Sequence, residues 1–146
     1  MKISNKRAYH EYQVLDKIEV GVMLTGAEAK AIRAGRIQLT GAYVRILKEE
    51  VWLINAVIPE YEYSKQKDYQ PDRTRKLLLN KNQILKLQQK IQTKGVTLVP
   101  LSVYTRKGLV KVEVGLVKGR KTYEKKEVKK RKDLQREMER TLTERP

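Results

Sequence analysis

The sequence has no cysteine and no phenylalanine, and only one histidine and one tryptophan. Without cysteine there is no disulfide and no thiolate zinc site, which suits a reducing cytoplasm. With His10 as the sole imidazole, neither a Cys–His dyad nor a His-based zinc site can be assembled. A Ser–His–Asp triad would have to be built around that one residue, which sits beside Glu11 in a basic arm. No nucleophile elbow, phosphate-cradling loop or GxGxxG turn is present, and no acidic pair stands at motif spacing. No segment approaches the ~18 consecutive apolar residues needed to span a bilayer. The opening "MKISNKRAYHEY" becomes charged before any apolar run develops, unlike a secretory signal. The expectation is a non-enzyme with no cofactor, no metal and no membrane contact.

What the chain has is positive charge. Lysine and arginine number 33 against 17 acids in 146 residues, a net charge of +16. That excess predicts a polyanionic partner. From Lys118 onward there are 12 basic and 6 acidic residues, which leaves 21 and 11 in the preceding 117. A folded body and a tail both carry surplus charge, so two contacts are expected. The length fits one domain, read as a barrel over residues 1–118 and a basic tail over 119–146.

The body reads as mainly β. "YQVLDKIEVGVML" (Tyr12–Leu24) has strand composition, with Gly21 marking a bulge or bend. Thr25 and Glu28 form a capping box that starts a helix, which Gly35 would end in a left-handed cap. Glu28 is read as a cap rather than a catalytic acid. Two strands follow, joined by a tight turn at Lys48–Glu50; the second, Val51–Ile58, is apolar on both faces and reads as central. "PEYEYSKQKDYQPDRTR" has no period and three tyrosines, and a loop of that length is usually functional or disordered. Asn80 and Gln83 cap a second helix whose apolar face is Ile84, Leu87 and Ile91, closed by Gly95. A hairpin turns at Arg106–Gly108, with Pro100 implying an edge or bulge in its first strand. The sum is an OB-fold-like antiparallel β-barrel of about six strands with two or three short helices and a basic C-terminal tail.

Binding chemistry is spread along this body. Lys6 and Arg7 lie in the basic arm, Lys30 and Arg33 share a helix face, Arg75 and Lys76 follow the tyrosine loop, and Lys118 roots the tail. Eight tyrosines in place of phenylalanine give aromatics with a polar handle, suited to half-exposed stacking on bases. In the tail, "GRKTYEKKEVKKRKD" surrounds Tyr123 with charge. As a helix it would gain one favourable pair, Glu127–Arg131. Against that stand the like-charge pairs Lys125–Lys129, Lys126–Lys130, Lys132–Arg136 and Asp133–Glu137. Its apolar stripe of Val128, Leu134, Met138 and Leu142 is thin. The tail is expected to be disordered when free and helical on a polyanion, which would relieve repulsion along Lys129, Lys130, Arg131 and Lys132.

Taken in order, "NKRAYHEY" (Asn5–Tyr12), "GVMLTGAEAKAIRAGR" (Gly21–Arg36), "DRTRKLLLN" (Asp72–Asn80), "GVTLVPLSVY" (Gly95–Tyr104) and "GLVKVEVGLVKGRK" (Gly108–Lys121) resemble the SsrA-binding protein family, small protein B. The resemblance covers nearly the whole chain. It implies an OB-fold protein that binds transfer-messenger RNA (tmRNA) and rescues stalled ribosomes by trans-translation. It places RNA-binding positions on Tyr12, Glu19, Leu78, Asn80 and Lys111. It implies that the barrel grips the tRNA-like domain of tmRNA while the tail enters the empty mRNA channel of the small subunit, past the rRNA of the decoding centre. Whether elongation factor Tu is touched directly stays open. The family's tail signature falls on Gly119, Arg120, Lys121, Glu124, Lys125 and Lys126, with Glu124 and Lys126 where the family has Asp and Arg. Lysine keeps the charge at 126 but lacks the bidentate fork.

Two other readings stand beside this one: a generic OB-type ribosomal or RNA-chaperone protein, and a small metal-dependent nuclease.

Overall fold

The computed structural model describes residues 2–119 together with Arg136. Within residues 2–119, seven antiparallel strands and three helices follow in the order β1 (Lys2–Ser4), α1 (Lys6–Glu11), β2 (Tyr12–Val22), α2 (Gly26–Arg33), β3 (Tyr43–Leu47), β4 (Glu50–Ile54), β5 (Arg75–Leu78), α3 (Lys81–Lys90), β6 (Val96–Arg106) and β7 (Leu109–Gly119). The strands pair as β1-β6-β3-β4-β5-β2-β7, and β6 also pairs with β7, so six of them close in a ring with β1 added outside. The mainly β expectation holds, with seven strands in place of about six. Among the described residues no helix is long and apolar enough to cross a membrane.

Local signals account for much of this path. Thr25 accepts the Glu28 backbone N–H while Glu28 returns a bond to the Thr25 N–H, and Asn80 and Gln83 do the same for α3. Gly35 and Gly95 have φ of +81° and +82°, backbone positions that L side chains rarely adopt. The β3–β4 and β6–β7 hairpins turn through Lys48–Glu49 and Lys107–Gly108, all with positive φ, the geometry that matches strand twist. Pro100 does mark a bulge, where the β6–β7 register shifts before Ser102.

The basic N-terminal arm, to which the sequence reading assigns no element, is built into the fold: β1 pairs with β6, and Asn5 caps α1 while its Nδ2 donates to the carbonyls of Pro100 and Leu39. That buried asparagine stitches a charged segment onto the sheet, a tertiary contact that overrides local polarity. The bulge in β2 falls between Val14 and Asp16 rather than at Gly21. Gly21 instead lies against Leu78, whose Cδ1 would be 3.2 Å from an added Cβ. Finally, the strand expected over Val51–Ile58 ends at Ile54, beyond which only Val57 bridges to Gln38.

Inside the ring lies one core, including Val20, Val44, Val51, Leu53, Leu77, Leu98, Val103, Val112 and Val114, capped by Ala31 and Ile32 of α2 and Leu87 of α3. A smaller cluster of Ala8, Val99, Leu101 and Val117 lets α1 cover one end of the sheet's outer face. The other end of that face carries the residues of interest.

Candidate nucleic-acid interface

Strand alternation sends every second side chain outward, and the register shows which of them are neighbours. Leu47 stands opposite Glu50, Gly21 opposite both Leu78 and Lys111, Lys111 opposite Tyr104, and Tyr104 opposite Lys2. One outward row therefore crosses the sheet and holds two of the expected RNA-binding positions, Leu78 and Lys111. Leu78 is 50% exposed, a large apolar group held in water. Two residues along β2 from Gly21, Glu19 faces the same way.

Glu19 is built as an acceptor. The Tyr104 hydroxyl donates to its carboxylate, and Arg106 Nη1 lies 3.2 Å from Oε2. The Tyr104 bond and, less strongly, Arg106 hold the Glu19 carboxyl below its usual range. Partial burial and the bond to Glu19 push the Tyr104 hydroxyl up to about 12, so it remains a neutral donor. A fixed, ionised carboxylate can accept from base amino groups, which makes Glu19 intelligible on a cationic protein. Tyr104 and Arg106 were not anticipated; only the hairpin register, which sets Tyr104 against Lys111, identifies them.

Asn80 sits just past β5 at the same edge. Its Oδ1 takes the Gln83 N–H at 2.9 Å, which leaves its Nδ2 donors available to a ligand. Lys76, one pleat before Leu78, faces out and lies 3.6 Å from the Glu50 carboxylate. Arg33 donates to the Gly108 carbonyl in the β6–β7 turn at 2.9 Å, which fastens α2 to the end of this face. Lys30, three residues earlier on α2, reaches a different partner, with Nζ 5.9 Å from the Tyr61 ring centre. Tyr61 in turn meets Tyr63 edge-on.

Arg75 does not belong to the surface. Its side chain is wholly buried, its Nη2 is 2.6 Å from Glu28 Oε2, and it donates to the carbonyls of Ala56, Pro71 and Arg73. Arg73 also donates to Glu28, and the Tyr69 hydroxyl donates to the Ile58 carbonyl. This network ties the tyrosine loop to α2. Burial raises the Glu28 pKa, but bonds from Arg73, the Thr25 backbone and Arg75 outweigh it and hold the carboxyl at about 2.

The remaining positions gather at the other end. Lys6 and Arg7 are exposed on α1, where Arg7 pairs with Glu11 at 2.7 Å. Tyr12 opens β2 opposite Gly119, and Lys118 stands opposite Gln13. A cleft of about 330 Å³ opens there between Arg7, Glu11, Tyr12, Tyr43, Thr97 and Val99. The tail positions Arg120, Lys121, Tyr123, Glu124, Lys125, Lys126, Lys129, Lys130, Arg131 and Lys132 lie outside the described residues, as does their expected helix. Apart from the buried Arg75 and Lys30 beside Tyr61, the expected sites among the described residues fall into two groups, an open face of the sheet and the neighbourhood from which the tail departs.

The family model described as "SmpB protein" matches residues 2–144. An SsrA-binding protein of Shouchella clausii is 47% identical over 141 residues, covering 97% of this chain and 90% of that protein. One of Sulfurihydrogenibium sp. is 46% identical over 139 residues, covering 95% and 91%. Among solved structures, a chain described as "tmRNA-SmpB: a journey to the center of the bacterial ribosome" superposes with a TM-score of 0.70 at 40% identity, covering 83% of this chain and 85% of that one.

Proposed function

The chain belongs to the SmpB family, and from that premise we propose that it binds the tRNA-like domain of tmRNA through the open face of its sheet and brings that RNA to stalled ribosomes. The observation that carries this reading is the outward row Leu78–Gly21–Lys111–Tyr104, with Glu19 and Arg106 beside it. It combines an exposed apolar contact, a phosphate-seeking lysine, a neutral hydroxyl donor and an ionised acceptor within one surface. Cations alone would bind any polyanion; the acceptor and the apolar contact supply selectivity.

The second surface serves the ribosome. Gly119 leaves β7 opposite Tyr12, so the chain from Gly119 to Pro146 starts beside Arg7, Tyr12 and Lys118 and away from the row that holds the RNA. With 12 basic residues from Lys118 onward, this tail suits the rRNA walls of an mRNA channel that holds no message. Its work there places the protein in the cytoplasm.

Truncation after Gly119 tests the division, because it leaves β7 and its pairing whole. The shortened chain should bind the tRNA-like domain with nearly unchanged affinity yet fail to support peptide tagging on stalled ribosomes. Loss of RNA binding in that variant would overturn the two-surface reading.

A further inference from the structure

Beside the row that holds Leu78 and Lys111 runs another with a different composition. Arg45 of β3 stands opposite Trp52 of β4, Trp52 stands opposite Lys76 of β5, and the Lys76 carbonyl accepts from the Met23 N–H just past β2. Along β4 the burial alternates, with Val51 and Leu53 wholly inside and Glu50, Trp52 and Ile54 half-buried on the outer face. The apolar character of this strand on both faces therefore does not mark two buried faces. One face fills the core, and the other carries a half-buried indole in register between two cations.

The neighbours point to what covers it. Met23 and Leu78 are 54% and 50% exposed and adjoin the same strip, which is bordered by Arg45, Lys76 and Lys111. An apolar strip of this kind flanked by positive charge matches a nucleobase with its phosphates: the ring system offers a flat apolar face, and the backbone on either side offers anions. Glu50 holds the Lys76 ammonium at 3.6 Å on the strand that carries the indole, where a phosphate could take its place. Continuity with Leu78, one pleat away on β5, joins the strip to the RNA face.

We propose that Trp52 is a stacking platform for an unpaired base of the bound RNA, with Arg45 and Lys76 meeting the phosphates on either side of that base. The inference rests on the RNA-binding reading above and extends the interface across β4 to β3.

Trp52 is the only tryptophan in the chain, so its fluorescence reports on one place. The test titrates the isolated tRNA-like domain of tmRNA into the unaltered protein, following tryptophan emission and, separately, RNA binding by filter retention. Stacking should quench the emission with the same midpoint as binding and shield the indole from acrylamide. Trp52→Phe should keep most of the affinity, since a ring remains, whereas Trp52→Ala should lose about tenfold or more with its salt dependence unchanged. Arg45→Gln and Lys76→Gln should each reduce the log–log salt slope by about 0.7–0.9 while preserving the quench. RNA that binds at full affinity with unchanged emission and unchanged acrylamide access overturns the platform and leaves the indole a packing group. Emission that responds to ribosomes but not to the RNA also overturns it, and gives the strip to another partner. If the RNA fails to bind at all, the proposed function itself falls, a result the filter assay separates from the others.

Discussion

Glu28 and Arg75 meet 2.6 Å apart with both side chains wholly buried, although 46 residues separate them in the chain. Glu28 belongs to the capping box of α2 and Arg75 opens β5, so one carboxylate caps a helix and neutralises an interior guanidinium. The pair fixes the near end of the β5 strand whose far end, Leu78, lies on the open outer face of the sheet.

Removing that carboxylate leaves a buried cation uncompensated. Glu28→Gln should cost about 3–5 kcal/mol of unfolding free energy, the usual penalty for breaking a buried pair from one side. Urea denaturation measures it. A loss below about 1 kcal/mol would mean that the carbonyls of Ala56, Pro71 and Arg73 suffice for Arg75.

The same carboxylate sets an acid limit. Its pKa is about 2 in the fold against 4.5 ordinarily, so the unfolded chain takes up this proton first as the pH falls. The stabilisation is therefore complete above pH 4.5 and is lost progressively as the pH drops from there towards 2. At roughly 1.4 kcal/mol per pKa unit it amounts to about 3 kcal/mol. Urea midpoints of the unaltered protein should fall over that window. Those of Glu28→Gln should fall less, so the two curves converge in acid.

Much of this fold can be read locally. The boxes at Thr25–Glu28 and Asn80–Gln83, the left-handed Gly35 and Gly95, both hairpins and the Pro100 bulge all depend on residues a few positions apart, and all are found. What local reading does not reach depends on distant partners. Arg75 has the composition of a phosphate ligand until the fold brings Glu28 to it. The basic arm becomes β1 and α1 because Asn5 reaches Pro100, 95 residues away. The site shows the same limit. Glu19, Leu78 and Lys111 were expected from motif resemblance, but Tyr104, Arg106 and the Arg45–Trp52–Lys76 strip emerge only from strand register.

Asn80 combines a cap with an expected RNA contact, and the two can be separated. Serine caps as well as asparagine but has no amide donor, so Asn80→Ser should leave stability within about 0.5 kcal/mol. It should still weaken binding of the tRNA-like domain several-fold. Thermal melts and a binding titration on the same sample decide it, and unchanged affinity would reduce Asn80 to a cap.

The central claim is that this face reads a particular folded RNA rather than charge in general. Its most direct test is the affinity of the protein for the isolated tRNA-like domain of tmRNA and for ordinary tRNA, measured side by side across a salt series. The account predicts similar log–log slopes, about −0.7 to −0.9 per phosphate contact, with the tRNA-like domain bound more tightly at every salt concentration. Superimposed lines for the two RNAs would contradict it.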